Sequence, residues 1–272
     1  IGTPAGGPLA GRFELLDEVG SGGMGTVYRA RDLATSAYVA VKLLIAQRLL
    51  PSEIDRFQRE ARLLAELRHP GIVGYVAHGL TAEGRPYLAM EWLQGEDLAH
   101  RVARGPLTLE ETLTLFRHVV GALEFAHRAG IVHRDLKPSN LFLRGGQVEQ
   151  VAVLDFGLAR RAKNSLHVTR TGVVMGTPQY MAPEQARGER DLDGTADFFS
   201  LACVIHECLT GEPPFVGEHI AAVLGKILFA PPAPLISPYG SVPAALSDLL
   251  LSMLAKAARE RPQNGVQILA RL

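Results

Sequence analysis

The hydrophobic period of this chain changes near residue 94, and that change limits what the chain can fold into more than any other feature. From Gly11 to Leu93 apolar residues come in short runs of strand length: Phe13 to Val19, Thr26 to Ala30, Tyr38 to Leu44 and Tyr87 to Trp92. The first two flank a glycine-rich stretch and are predicted to form a hairpin. One helix interrupts them, expected over Ser52 to Arg68. Its Phe57, Ala61, Leu64 and Leu67 recur at three- and four-residue steps, which puts Arg59, Arg62 and Glu66 on the outer face. From Gly95 onward the period lengthens. Helices are expected over 108–129, 196–210, 218–228 and 243–257, with a last short one near Gly265. The fold class predicted is α+β and bilobal, with a small β-rich lobe over 11–93 and a larger helical lobe over 94–272. Gln94 and Gly95 fall where a hinge would lie. Residues 1–10, rich in Gly and Pro, read as a flexible tail. Ala230 to Pro243 carries five prolines and reads as a surface loop.

Composition excludes several classes. The chain has 272 residues, 47% of them hydrophobic, enough for a sizeable core. Lys+Arg and Asp+Glu both number 28, so the formal net charge is zero and no nucleic-acid or membrane-surface partner is indicated. No run approaches the ~18 apolar residues of a membrane span. The longest candidate, Phe198 to Leu209, is broken by His206 and Glu207 and reads as a buried helix. The chain opens without Met or a signal-peptide pattern, and we read it as part of something longer. Cys203 and Cys208, five apart on an expected helix, read as buried free thiols rather than a disulfide or a metal site. A reducing, cytoplasmic compartment fits.

The chemistry is concentrated in His133-Arg134-Asp135-Leu136-Lys137-Pro138-Ser139-Asn140. A short hairpin-like stretch and the apolar run Val151 to Leu154 lead from there to Asp155-Phe156-Gly157. Asp135 can accept a proton, Lys137 can neutralise a phosphoryl group, and Asn140 and Asp155 are hard oxygen donors that suit Mg²⁺. Together these are the groups phosphoryl transfer needs. Taken singly, each could be a turn-forming or capping residue. Upstream, Gly20-Ser21-Gly22-Gly23-Met24-Gly25 lies between two strands, where glycines let a backbone approach phosphate oxygens. By itself that stretch is equally a plain hairpin turn. Strand rather than helix follows it, which argues against a dinucleotide fold. Lys42 ends Val39-Ala40-Val41 and shares a strand face with Ala40, so an inward lysine there calls for anions. ATP phosphates and Glu60, on the inward side of the expected helix, are the two available.

With these motifs in this order the chain resembles a bacterial, eukaryotic-like Ser/Thr protein kinase catalytic domain, from about Arg12 to Leu272. Ala-Pro-Glu184 completes the set. The resemblance implies an ATP-dependent phosphotransferase acting on Ser or Thr hydroxyls of proteins, with Mg²⁺ and with Mn²⁺ admitted in its place. It implies Met90 at the gatekeeper, backbone groups of Glu91 and Leu93 toward adenine, and Asp97 near the ribose. Val27 and Ala40 would lie above the base and Phe142 below it. Thr177 would stand beside Asp135 and Lys137. Leu64, His133 and Phe156, with Tyr75, resemble an apolar stack anchored by Asp197, and Glu184 with Arg261 resembles a structural ion pair. Ala202 departs from the family's usual glycine. A homodimer is admitted, and the parent protein is open to membrane tethering.

Between Asp155 and Glu184 the chain is polar and basic, with two threonines, Thr169 and Thr171, just before Gly-Thr177-Pro. Phosphate on either would bring roughly two negative charges within reach of an arginine such as Arg134. Autophosphorylation at Thr171 and Thr169, with Ser165 behind them, is therefore expected; otherwise they are plain loop hydroxyls. Two other functions are weighed against catalysis on proteins. A pseudokinase would ordinarily lack the strand lysine, the base or the metal acid, and all three are present. A small-molecule kinase is disfavoured by the Gly-Thr177-Pro and Ala-Pro-Glu184 segments, which resemble the part of protein kinases that docks peptide.

Overall fold

The structure is a computed structural model and describes residues 7–22, 25–44, 51–156, 178–189 and 191–272, with only the backbone given at Pro51, Glu53 and Arg56. Two compact units divide it. One takes the chain through His69 together with Val73–Gln94, and the other takes Pro70–Ile72 and the described chain from Gly95 on.

The first unit is a five-stranded antiparallel sheet, β1 (Phe13–Gly22), β2 (Gly25–Asp32), β3 (Tyr38–Leu44), β4 (Tyr75–Leu80) and β5 (Pro86–Glu91), in the order β1-β2-β3-β5-β4. The pleat sorts its side chains. Phe13, Ala30, Val39, Val41, Leu43, Tyr87 and Ala89 form one core cluster. On the other face Leu88 and Met90 meet Phe57 and Ala61 of α1 (Pro51–Glu66), with Leu44, Leu64, Val73 and Tyr75 against them. The three- and four-residue stripe is thus the buried side of α1, and Arg59, Arg62 and Glu66 are exposed. Two irregularities in the β1–β2 register, around Glu18, precede the glycine stretch. Order begins ahead of Gly11: Leu9 forms an isolated bridge with Phe13, exchanging two backbone hydrogen bonds, and packs on the sheet core.

The second unit is mostly helical. Its helices are α2 (Leu98–Ala103), α3 (Leu109–Arg128), α4 (Pro183–Ala186), α5 (Gly194–Thr210), α6 (Ile220–Phe229), α7 (Ala244–Met253) and α8 (Gly265–Leu269). A small sheet of β6 (Gly95–Asp97), β7 (Leu141–Arg144) and β8 (Val151–Val153) lies beside them in sequence order. Thr108 starts α3 with a reciprocal cap, its hydroxyl accepting the Glu111 N–H while the Glu111 carboxylate accepts the Thr108 N–H. α3 packs on α5, which is buried along nearly its whole length and ends at Gly211 in a left-handed turn (φ 88°). Cys203 and Cys208 are free and buried in α5, and burial pushes both thiols well up.

Some boundaries moved. The expected 243–257 helix stops at Met253. The carbonyls of Ala255 and Lys256, which would have continued it, instead accept the Arg261 guanidinium. β4 and α2 were not foreseen. β4 carries Gly79 and His78 among its apolar residues, and α2 is only six residues long. No helix among the described residues is long and apolar enough to cross a membrane.

Candidate active site

In the first unit the strand register collects the residues singled out upstream. Gly20 pairs with Val27, Val27 with Lys42, and Lys42 with Leu88; Ala40 pairs with Met90. Cross-strand partners share a face, so Val27, Ala40, Lys42 and Met90 stand on one side of the sheet. This is the side that α1 covers through Leu88 and Met90. Lys42 is buried, with only 8% of its surface exposed. Glu60 is half-buried along the stripe of α1, next to Ala61 and three residues from Phe57. Glu91 ends β5, with Leu93 two residues on. Gly20, Ser21, Gly22 and Gly25 belong to the β1–β2 hairpin, while Gly23 and Met24 lie outside the described residues.

In the second unit the loop after α3 gathers the acid, the lysine and the amide. Lys137 sets its Nζ 3.0 Å from Asp135 Oδ2. The Asn140 side-chain amide donates to the Asp135 carbonyl at 2.7 Å, which leaves its own carbonyl oxygen for another partner. Asn140 closes a 3₁₀ turn that Pro138 opens, and the backbone N–H of Leu154 donates back to the Asn140 carbonyl at 2.8 Å. That bond ties the segment ending in Asp155 to the loop carrying Asp135. Phe142 on β7 lies directly opposite Asp97 on β6. Asp97 also caps α2: one oxygen accepts the His100 N–H at 2.9 Å and the other faces the His100 ring at 2.8 Å.

Two backbone features had no signal in the residue pattern. Arg134 and Asp155, neither a glycine, have φ of 67° and 53°. Such residues are sparsely populated in the left-handed region and are held there only by what surrounds them. Here the restraint centres on Asp197, on α5 and wholly buried. Its Oδ2 accepts the His133 N–H (2.7 Å) and His127 Nε2 (2.8 Å), and its Oδ1 accepts the Arg134 N–H (2.8 Å). Burial alone would raise the Asp197 carboxyl; the hydrogen bond and charge of His127, with the Arg134 N–H, act against it and hold the group below its usual range. Gln185 adds a bond from its amide to the Arg134 carbonyl at 2.7 Å. His133 donates from Nε2 to the Leu154 carbonyl (2.7 Å) and takes the Asp135 N–H on Nδ1 (3.2 Å), which settles its tautomer. Its ring lies 4.9 Å from that of Phe156. In the first unit, Leu64 and Tyr75 pack on the cluster of Phe57 and Met90. Glu184 and Arg261 form a buried two-pronged ion pair. Thr169, Thr171 and Thr177 lie outside the described residues.

A protein kinase domain model matches residues 13–270, and the chain belongs to that family. Its two-lobed α+β fold is the protein kinase fold. Within the family it groups with bacterial, eukaryotic-like Ser/Thr kinases. It is 41% identical over 261 residues to the serine/threonine-protein kinase Pkn1 of Myxococcus xanthus, covering 95% of this chain and 37% of that protein. It is 38% identical to PknB of Mycobacterium leprae, covering 97% and 43%. To the DNA damage-responsive kinase RqkA of Deinococcus radiodurans it is 40% identical, covering 96% and 39%. The chain therefore spans about two fifths of the length of these curated relatives. A crystallised PknI kinase-domain variant from Mycobacterium tuberculosis superposes with a TM-score of 0.76 at 27% identity, covering 100% of this chain and 99% of that one. The family uses ATP and a divalent metal, and acts on proteins.

Proposed function

We propose that this chain catalyses transfer of the γ-phosphate of ATP to Ser or Thr hydroxyls of protein substrates, with 11–93 and 94–272 as its two lobes. The single observation that carries the reading is the loop on which Lys137 stands 3.0 Å from Asp135 while Asn140 is fastened to the Asp135 backbone. Asp135 takes the substrate hydroxyl proton. Lys137, with Thr177 beside it, steadies the transferring phosphoryl group. Lys42, backed by Glu60, holds ATP phosphates, and the glycine loop from Gly20 to Gly25 covers them. Val27, Ala40, Met90 and Phe142 enclose the adenine, Glu91 and Leu93 meet it through backbone groups, and Asp97 meets the ribose.

The Asn140 and Asp155 oxygens suit a hard cation. The orientation of Asn140 supports this, because its nitrogen is spent on Asp135 and its oxygen remains. Mg²⁺, or Mn²⁺ in its place, would neutralise phosphate charge there. Autophosphorylation at Thr171 and Thr169 activates the domain. The reading places it in the cytoplasm, open to a homodimer and to tethering by its parent protein, with no nucleic-acid partner.

The deciding experiment measures ADP release and phosphoprotein formation with Mg-ATP and a generic basic protein, for wild type and for Asp135→Asn. Turnover by the wild type that falls at least a hundredfold in the variant, with ATP still bound, is expected. Equal turnover in the two would sink the role of Asp135. Phosphopeptide mapping of the same reactions reads the threonines, and an unmodified loop in a fully active preparation would remove the activation step.

A further inference from the structure

We propose that the Glu91 side chain is a positioning residue for nucleotide binding: it clamps the end of β5 to Gly74 and so holds the backbone leading to Leu93 in place for adenine. The inference rests on the kinase reading above, in which the backbone of Glu91 and Leu93 meets the base.

Residues 74 and 91 hold each other twice. The Glu91 N–H donates to the Gly74 carbonyl at 2.8 Å, and the Gly74 N–H donates to Glu91 Oε1, also at 2.8 Å. The first bond extends the β4–β5 ladder one step past the Tyr75–Met90 pair, and the second is a charge-assisted closure of the same ring. On its other side β5 pairs Glu91 with Val39 of β3. The last residue of β5 is thus fixed by both neighbouring strands and by its own carboxylate.

Glycine at 74 is part of the arrangement. Gly74 is not in the left-handed region, so its backbone suits any residue, and only space calls for glycine. A Cβ there would meet Glu91 Cδ at 3.2 Å, Oε1 at 3.4 Å and Cγ at 3.5 Å. The volume a side chain would take is the volume the carboxylate occupies. Met90, one residue earlier, is pinned by Phe57, Ala61 and Leu88, so movement released at Glu91 passes forward toward Leu93 rather than back into the sheet.

The test is equilibrium binding of adenosine, ATP, GTP and tripolyphosphate to the wild type and to Glu91→Ala, Glu91→Gln and Gly74→Ala. Glu91→Ala should weaken adenosine and ATP by the same factor, about tenfold, as expected for one charge-assisted hydrogen bond. It should narrow the preference for ATP over GTP and leave tripolyphosphate unchanged. Glu91→Gln keeps an acceptor oxygen and should stay within about threefold of wild type. Gly74→Ala, which leaves the carboxylate but crowds it, should fall between the two. Adenosine affinity unaltered in Glu91→Ala, with ATP bound normally by the wild type, would end the clamp while leaving the kinase reading intact. An equal loss for tripolyphosphate would also end it, since that marks a general loss of structure. A wild type that binds no nucleotide would instead remove the kinase reading beneath it.

Discussion

Arg261 sets both terminal nitrogens on the Glu184 carboxylate, at 2.7 and 2.8 Å, across 77 residues of sequence. Its side chain is wholly buried, and its remaining donors go to the carbonyls of Ala255, Lys256 and Thr195. The guanidinium therefore joins the start of α4, the start of α5 and the chain after α7. Arg261→Ala leaves the Glu184 carboxylate buried without its cation. A loss of about 3–5 kcal/mol in unfolding free energy is expected, read from urea denaturation. Arg261→Lys should recover little of it, because an ammonium cannot span two oxygens and three carbonyls at once. A lysine variant as stable as wild type would refute this account.

Gly194 tolerates no side chain for a reason that lies on α3. A Cβ at 194 would come within 2.5 Å of His127 Nδ1, and that ring is held by Asp197 on one side and lies edge-on to Phe198 at 5.2 Å. Gly194→Ala should displace His127 from Asp197, lowering both the melting temperature and turnover. Adding His127→Ala removes the obstacle, so the double variant should be more stable than the Gly194→Ala single. A strictly additive pair in thermal melts would count against it.

Asp197→Asn tests the restraint on the loop. The asparagine keeps one acceptor oxygen where three N–H donors now converge on two. Its buried amide nitrogen then faces donors. We expect turnover to fall by one to two orders of magnitude, with nucleotide affinity changed far less; steady-state kinetics alongside nucleotide titration separates the two. Collapse of both quantities together would mean that Asp197 serves overall folding rather than the loop.

Acid stability carries a signature of the first unit. Arg12 makes a two-pronged hydrogen bond to Asp32 (2.9 and 2.7 Å), and that bond first, then the Ala34 N–H, lowers the Asp32 carboxyl from 3.8 to about 2 against the opposing effect of burial. A carboxyl whose pKa is depressed in the folded state stabilises fully above its unfolded value. The stabilisation fades as pH falls through the folded value. Urea midpoints of wild type and Arg12→Met should thus differ by a constant amount above about pH 4 and converge as pH drops toward about 2. A gap that widens on acidification would contradict the assigned pairing.

Much of the first unit was legible because its signals are local. Alternation in 38–44 told which residues share a face with Lys42, and three- and four-residue spacing told which side of α1 is buried. The loop of Asp135, Lys137 and Asn140 was legible for the same reason, since its members lie within six positions. Family resemblance alone named Glu184 with Arg261 and gave Asp197 as the anchor of an apolar stack; that Asp197 does this through the 133–134 backbone came only from the structure. No periodicity or spacing marks partners more than sixty residues apart. His127 as a third donor to Asp197 and the Glu91–Gly74 clamp carried no signal at all, whereas Asp97, a residue type that favours helix starts, caps a helix too short to show a period of its own.

The order of residues alone determined the type of most elements and the set of chemical groups available, because those depend on neighbours a few positions away. Folding in three dimensions decided the conformations of Arg134 and Asp155. Neither residue prefers a positive φ. Each adopts it where distant groups such as Asp197, Gln185 and Asn140 supply hydrogen bonds to the surrounding backbone, and that is energy no local stretch of chain contains.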